Sequence, residues 1–337
     1  MPRMNSPSGI SRSQFEFAIL GAGAIGSILG AHLARAGHSV VMLAREPRAL
    51  QIQREGLRIT GLADLSVRVT TLSNAAGLRS AENLIVAMKT PGTAEALTGL
   101  RHVEIGTAFS IQNGLLKDEL LAGVFGERRV LGALADTSGE LLPGGEIAFT
   151  RNVGILLGEL YRETTPRAEQ IARTIDTAGV RAATAANIRS LEWSKFAAWA
   201  GLMVLSVTTR AATWRFLTDP GSALVIVRLI RELAVLARAL EVELTDQSVL
   251  PVATICGGTE MDAIAAVINV GREFELHAPT HRMSALHDLE AARPLEIHET
   301  LGHALQKAAQ RQLALPLLEA FFHLVSTIDR IRPRTRQ

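Results

Sequence analysis

Apolar and polar positions near the start of the chain follow a strand, turn, helix, strand order. The segment FEFAILGAGAIGSILGAHLARAGHSVVMLAR begins with an apolar run, passes through closely spaced glycines and continues with apolar residues at helical spacing. RAGH ends the helical pattern, and the second apolar run, SVVML, follows it. This order predicts a βαβ unit.

Further apolar patterns divide the chain into two unlike halves. NLIVAM, GTAFSIQNG, RRVLGALAD and VGILLGEL indicate strands, and PRAEQIARTIDTAG indicates a helix. From about Asn187 onward, long helical patterns such as GSALVIVRLIRELAVLARAL dominate, and the last one runs from LGHALQKAAQ through LVSTIDRI. We therefore predict an α/β fold, with an N-terminal Rossmann-type doubly wound sheet and a C-terminal all-helical domain.

The predicted domain boundary lies where the strand patterns give way to helices. We expect a flexible N-terminal segment at residues 1–14, a dinucleotide-binding domain at 15–185, a helical substrate and catalytic domain at 186–330, and a basic tail at 331–337. No low-complexity linker separates the two large parts, which favours direct packing and a site in the cleft between them.

Composition and charge exclude several functional classes. The 337 residues are 47% hydrophobic and 20% charged, as in a soluble globular protein, and a net charge of +2 gives no reason to expect nucleic acid. A single cysteine, Cys256, cannot form an internal disulfide, and the polar N-terminus lacks the apolar core of a signal peptide. The uncharged run from Phe196 to Leu205 is half of the roughly twenty residues that a membrane span needs. We expect a cytoplasmic protein with no membrane partner.

The glycine turn predicts a dinucleotide cofactor. GAGAIG places Gly21, Gly23 and Gly26 between the first strand and its helix, where Ala24 and Ile25 complete the turn. Glycines there let the backbone approach a pyrophosphate at the helix N-terminus, although a merely tight turn is the simpler alternative.

The residue after the second strand bears on the choice of cofactor. Arg45 stands where an acidic residue would bind the ribose 2′-hydroxyl of NAD. A guanidinium can pair with a 2′-phosphate, so NADP is favoured, while the neighbouring Glu46 keeps NAD open.

Five motifs in a fixed order resemble the ketopantoate reductase family. GAGAIGS is followed by AMKT, QNG, EWSK and SALHDLEAARPLEI, over most of the chain from about Phe15 to the final helix. The resemblance implies that NADPH reduces a small 2-oxo acid, as in the conversion of 2-dehydropantoate to pantoate in pantothenate biosynthesis. We add a homodimer as an expectation.

The resemblance also implies roles for individual residues. Lys89 would lie beside cofactor and substrate, and Asn113 would contact both the nicotinamide and the substrate. Lys195 would be the general acid, Ser284 and Glu296 would bind substrate, and Glu296 would belong with Lys195 to the catalytic pair. Taken singly, Lys89 could be a surface lysine, Asn113 part of an ordinary turn and Ser284 a helix cap.

The chemistry independently needs residues of these types. Hydride transfer to a ketone carbon leaves negative charge on the oxygen, so the site needs a proton donor or a cation within hydrogen-bond reach. Burial of Lys195 beside Phe196, Trp199 and Leu202 would lower its pKa towards neutrality, whereas Glu296 would oppose that shift.

Two positions depart from the family pattern. Asparagines four and eight residues after the catalytic lysine bind substrate in the family, but this chain has Trp199 and Met203 there. Both could be core residues; if their helix face lines the pocket instead, the pocket is less polar and the substrate is a bulkier or less polar 2-oxo acid. Lys195 and Ser284 are also farther apart than is usual in the family, which suggests an inserted or extended helical segment somewhere between Leu217 and His281.

Two other functional classes stay open. A metal-dependent alcohol dehydrogenase is suggested by five histidines between positions 277 and 303, although Pro279 interrupts their spacing and we expect no metal. The five are His277, His281, His287, His298 and His303. A non-catalytic nucleotide-binding protein is the second alternative, because both asparagines are missing.

Overall fold

The computed structural model describes residues 13–161 and 163–332. Residues 1–12 of the expected flexible segment and 333–337 of the expected basic tail lie outside the described residues. Gln14, which we assigned to the flexible segment, already belongs to the first strand.

A mixed ten-stranded sheet occupies the first half of the described chain. Its strands are β1 Gln14–Leu20, β2 Val40–Leu43, β3 Leu57–Gly61, β4 Leu65–Val67, β5 Thr70–Leu72, β6 Ser80–Val86, β7 Glu104–Ser110, β8 Val130–Leu141, β9 Ile147–Gly158 and β10 Ala182–Thr184. Their order is β4-β3-β9-β8-β7-β6-β1-β2-β5, with β10 paired to β9. The pairs β8/β9 and β3/β4 are antiparallel, and the other pairs are parallel.

Helices cover the sheet and form the second half of the chain. They are α1 Ala24–Arg35, α2 Glu46–Glu55, α3 Thr93–Thr98, α4 Leu116–Phe125, α5 Pro166–Thr177, α6 Ile188–Thr209, α7 Thr213–Thr218, α8 Pro220–Ala239, α9 Val252–Gly257, α10 Glu260–His277, α11 Ser284–Glu290, α12 His303–Gln310 and α13 Pro316–Ile331. A 3₁₀ turn at Glu127–Arg129 and a π-helical turn at His298–Gly302 complete the described elements. Among described residues, no helix combines the length and apolarity required to cross a bilayer.

The side chains of β1 show why the sheet is covered on both faces. Phe17 and Ile19 pack into one buried cluster, while Ala18 and Leu20 pack into another on the opposite face. Successive side chains of a strand point to opposite faces, so this strand needs apolar residues at nearly every position. The α/β fold with a doubly wound sheet and a following helical region is confirmed.

The helical region has its own core, built around α6. Most α6 side chains are buried, because α7, α8, α11 and α13 all contact this helix. A helix enclosed in this way is apolar on every face, which explains the long uncharged run after Lys195.

Two local features differ from the sequence-based expectations. The pattern did not indicate β3, β4 and β5, because these strands are short and partly polar. The last long helical pattern divides into α12 and α13, since Gln312 adopts a left-handed conformation with φ 55° and Pro316 starts a new helix.

Candidate active site

The glycine turn is tightly packed at Gly21 and Gly26 and open at Gly23. Gly21 has φ 111°, and a Cβ there would lie 2.5 Å from the backbone nitrogen of Met88. A Cβ on Gly26 would lie 2.1 Å from the carbonyl oxygen of Gly21, whereas a Cβ on Gly23 would meet nothing within 4 Å. Gly23 is the N-cap of α1, and Ala24 and Ile25 form its half-buried first turn. The N-terminus of α1 therefore faces open space, which fits the pyrophosphate of a dinucleotide.

Two arginines lie on the second strand's side of this turn. Arg45 is the exposed N-cap residue of α2, two residues after the end of β2. Arg48, which the sequence analysis missed, donates from Nε to the carbonyl oxygen of Ala22 at 3.3 Å and from Nη1 to that of Gly145 at 3.0 Å. Arg48 thus braces the turn, while the exposed side chain of Arg45 can meet a ligand.

Lys89 joins the sheet to the helical region through an acidic cluster. Its Nζ lies 2.7 Å from Oδ2 of Asp288 and 3.8 Å from Oε2 of Glu296. Glu296 also accepts a hydrogen bond from the backbone N–H of Thr90 at 2.9 Å, and Arg293 pairs with the other oxygen of Asp288 at 2.8 Å. Burial disfavours the charged amine, but Glu296 and Asp288 outweigh it and raise the pKa of Lys89. Lys89 is therefore a fixed cation, and its 54% exposed side chain can meet a ligand.

The surroundings of Lys195 lower the pKa of its amine, whereas those of Lys89 raise it. Its Nζ donates to the carbonyl oxygen of Ala135 on β8 at 2.7 Å. Burial, followed by the positive charge of Lys117, lowers the pKa of Lys195 to about 8, although Asp136 and Glu192 oppose the shift. An amine of this kind is protonated at neutral pH and can release its proton readily.

A second buried lysine, which the sequence analysis did not single out, lies beside Lys195. Lys117 on α4 donates to the carboxylate of Glu192 at 2.5 Å and to the carbonyl oxygens of Ser110 and Ala133 at 3.0 and 2.6 Å. The Lys117 and Glu192 side chains are only 3% and 4% exposed. Burial opposes the charge of Lys117, but Asp118 and Glu192 outweigh it and raise its pKa.

One small cavity brings several of these groups together. Its lining consists of Gln112, Asn113, Gly114, Lys117, Ala133, Leu134, Glu192, Lys195, Phe196 and Trp199. The half-buried Asn113 follows the carboxyl end of β7. Lys195 and Trp199 lie on successive turns of α6. The cavity thus combines an amide, an amine and an aromatic wall.

The other predicted site residues lie away from this lining. Met203 is buried in the helical core with 2% exposure. Ser284 is the exposed first residue of α11, and Glu296 belongs to the Lys89 cluster. The two groups are neighbours nonetheless, since a Cβ on Gly114 would lie 2.9 Å from Cγ2 of Thr300, four residues after Glu296.

Two of the C-terminal histidines have partners unrelated to a metal site. His281 shares a hydrogen bond with the Thr213 hydroxyl at 2.9 Å, and His303 lies 3.5 Å from a carboxylate oxygen of Glu119. Within residues 13–161 and 163–332, no group of three or more histidine, cysteine or acidic side chains is arranged to hold a metal ion.

Comparisons with known proteins match this arrangement along nearly the whole chain. The family model described as ketopantoate reductase PanE/ApbA matches residues 17–162, and the model for its C-terminal part matches residues 187–329. A 2-dehydropantoate 2-reductase of Archaeoglobus fulgidus is 26% identical over 311 residues, covering 92% of this chain and 97% of the relative. Another, from a Nostoc species, is 24% identical over 332 residues, covering 96% and 97%.

Solved structures share the fold. A PanE/ApbA family ketopantoate reductase from Ralstonia eutropha superposes with a TM-score of 0.78 at 24% identity, covering 93% of this chain and 98% of that one. D-mandelate dehydrogenase, solved with NADH and anilino(oxo)acetate, gives a TM-score of 0.80 at 16% identity with the same coverage of both chains. The glycine turn, the buried amine on α6 and these matches together show that the protein belongs to the ketopantoate reductase family, nicotinamide-dependent oxidoreductases that act on CH–OH groups.

Proposed function

We propose that the protein uses NADPH to reduce a 2-oxo acid that is less polar or bulkier than ketopantoate. The observation that supports this most strongly is the position of Lys195. Its amine has a pKa near 8 and lines the same cavity as Asn113, at the carboxyl edge of the sheet where the glycine turn lies.

The proposed mechanism assigns separate tasks to the polar residues. Bound NADPH supplies the hydride. Asn113 holds the substrate by hydrogen bonds, and Lys195 donates a proton to the ketone oxygen as negative charge develops there. Lys89, fixed by Asp288 and Glu296, supplies a permanent positive charge for an anionic group, and Ser284 and Glu296 contribute further polar contacts.

The preference for NADPH rests on the end of β2. Arg45 is the exposed N-cap residue of α2, two residues after the end of this strand, where the adenosine ribose of a dinucleotide binds in folds of this kind. An arginine there can form charged hydrogen bonds with a 2′-phosphate. D-mandelate dehydrogenase was solved with NADH, so the two cofactors need direct comparison.

The expected substrate follows from the cavity wall. Phe196 and Trp199 stack with their ring centroids 6.3 Å apart, and Leu134 lies on the same lining. A substrate hydroxyl facing such a wall would lose its hydrogen bonds with water without replacement, at about 1–3 kcal/mol per group. Of the two residues that replace the family's asparagines, Trp199 belongs to this lining, whereas Met203 is buried in the helical core.

A panel of 2-oxo acids tests this function. NADPH oxidation would be followed with ketopantoate, bulkier aliphatic 2-oxo acids and phenylglyoxylate, and we expect steady turnover with kcat/KM lowest for ketopantoate. Gly26→Ala should abolish turnover, because its Cβ would clash with Gly21, whereas Gly77→Ala, where a Cβ meets nothing within 4 Å, is the matched control.

Two outcomes would contradict the proposal. NADPH binding without turnover on the whole panel would identify a non-catalytic nucleotide-binding protein. A preference for ketopantoate over every analogue would remove the apolar-pocket argument and leave an ordinary ketopantoate reductase.

A further inference from the structure

The buried ion pair Lys117–Glu192 is expensive for a structural element. Both side chains are almost fully enclosed, and taking two charges out of water costs several kcal/mol per ion, which their mutual attraction offsets only with good geometry. Apolar residues of similar size would stabilise a core at least as well. A role in the neighbouring cavity would explain why the chain keeps this pair.

The pair connects the three segments that surround the cavity. Lys117 binds the carbonyl oxygen of Ser110, at the end of β7 just before Asn113. Both partners also bind the backbone of Ala133 on β8. The Lys117 amine donates to the carbonyl oxygen of Ala133, and the N–H of Ala133 donates to the Glu192 carboxylate at 2.9 Å. Glu192 lies on α6 three residues before Lys195, whose amine binds the same strand at Ala135. The strand is thus held at two points, one of them by the proposed acid itself.

The charges around Lys195 come from three elements. Lys117 projects from α4, Asp136 from β8, and Glu192 from α6 itself, and the last two favour the ammonium form while Lys117 disfavours it. Asp118 lies 3.6 Å from Lys117, but burial and then the nearby Glu192 raise its pKa well above the ordinary value despite the opposing Lys117. Glu192 is nevertheless the closer partner of Lys117, with an oxygen 2.5 Å from its Nζ.

We propose that Lys117 and Glu192 are positioning residues that hold the amine of Lys195 against β8 and set its readiness to release a proton. The inference rests on the proposed function of Lys195 as general acid. Neither partner transfers a proton to the substrate. Their two charges act on Lys195 in opposite directions, so removing them one at a time has opposite effects.

Three variants test this through the pH dependence of kcat with the best 2-oxo acid of the panel. In Lys117→Met a repelling cation is lost, so the high-pH limb of the profile should move up by about one pH unit. In Glu192→Gln, which keeps the oxygen that accepts from Lys117, the limb should move down. The double variant should return towards wild type. Lys307→Met removes a lysine that pairs with Glu119 outside the cavity lining, so it is the matched control and should leave the limb in place.

A second measurement does not depend on turnover. Acetic anhydride acetylates an amine only in its neutral form. Mass spectrometry of the peptide that contains Lys195, after labelling at a series of pH values, therefore reports the ionisation of the Lys195 amine directly. The same opposite shifts are expected there. Wild-type protein without turnover would contradict the proposed function, while labelling would still decide this inference.

The inference would be overturned if wild type, Glu192→Gln and the double variant had the high-pH limb and the labelling curve at the same pH, even if their activity falls. Such a result would identify the pair as a structural brace only. If Lys117→Met does not fold, Glu192→Gln and the double variant still decide, because the inference requires a downward shift in the first and its reversal in the second.

Discussion

Replacing Lys195 by methionine should make the protein more stable while removing the proposed acid. The folded protein lowers the pKa of this amine from 10.5 to about 8. A difference of about 2.5 units corresponds to about 3.4 kcal/mol at 1.36 kcal/mol per unit. Methionine keeps the apolar stem but loses the hydrogen bond to the Ala135 carbonyl oxygen, worth about 1 kcal/mol. We expect the free energy of unfolding at pH 7 to rise by about 2 kcal/mol in Lys195→Met.

The gain should depend on pH in one direction. Below pH 8 the amine is charged in both states, so the wild-type folded state bears the full cost of the buried charge. Between about 8 and 10.5 the folded state releases its proton while the unfolded state keeps it, so wild-type stability rises with pH through this window. The advantage of methionine should therefore shrink as pH approaches 10.5.

Urea denaturation at neutral pH and near the upper end of that window measures both effects. Lys307→Met is the matched control, since Lys307 forms a partly exposed ion pair with Glu119 and should change stability by less than about 1 kcal/mol. Equal stability of wild type and Lys195→Met at pH 7 would refute the reasoning. So would a gain that is the same at both pH values.

Three further substitutions test the cofactor and substrate assignments. Arg45→Ala should weaken NADPH binding by about 1.5–3 kcal/mol and NADH binding far less, because only NADPH has the 2′-phosphate; equal losses in titrations with both would contradict the NADPH assignment. Glu296→Gln should chiefly raise KM, since Glu296 holds Lys89 and the N–H of Thr90, and a fall in kcat at unchanged KM would contradict a binding role. Trp199→Asn should raise kcat/KM for ketopantoate by about 5-fold or more, whereas Met203→Asn should only destabilise the core by about 1–3 kcal/mol; an effect of Met203→Asn alone on ketopantoate turnover would place that residue in the pocket.

The sequence allowed the βαβ unit and the glycine turn to be predicted because both depend on local patterns. Strands buried on both faces and helices enclosed by others leave long apolar runs, as in β1 and α6. Three expectations stay predictions: the domain boundary between residues 185 and 186, the homodimer, and the cytoplasmic location. The short strands β3 to β5 have no such signal. β3 pairs with the distant β9 and β5 with β2, while β4 pairs with the neighbouring β3.

The site was predictable only where a motif marks it. Lys117 lies three residues after QNG, and a lysine beside an acidic residue usually belongs to a solvated face. Its burial depends on α6, which supplies Glu192 from 75 residues away. The one local signal was Glu192 itself, three residues before Lys195 on the same helix, which indicates a charge shared by one face.

The central claim is that Lys195 donates the proton when a 2-oxo acid is reduced. Single-turnover and steady-state NADPH oxidation with the best substrate should be compared for wild type, Lys195→Ala and the control Lys307→Ala. We expect Lys195→Ala to lower kcat by about 100-fold or more with NADPH affinity nearly unchanged, while the control keeps wild-type turnover. Near-native turnover of Lys195→Ala would contradict the account.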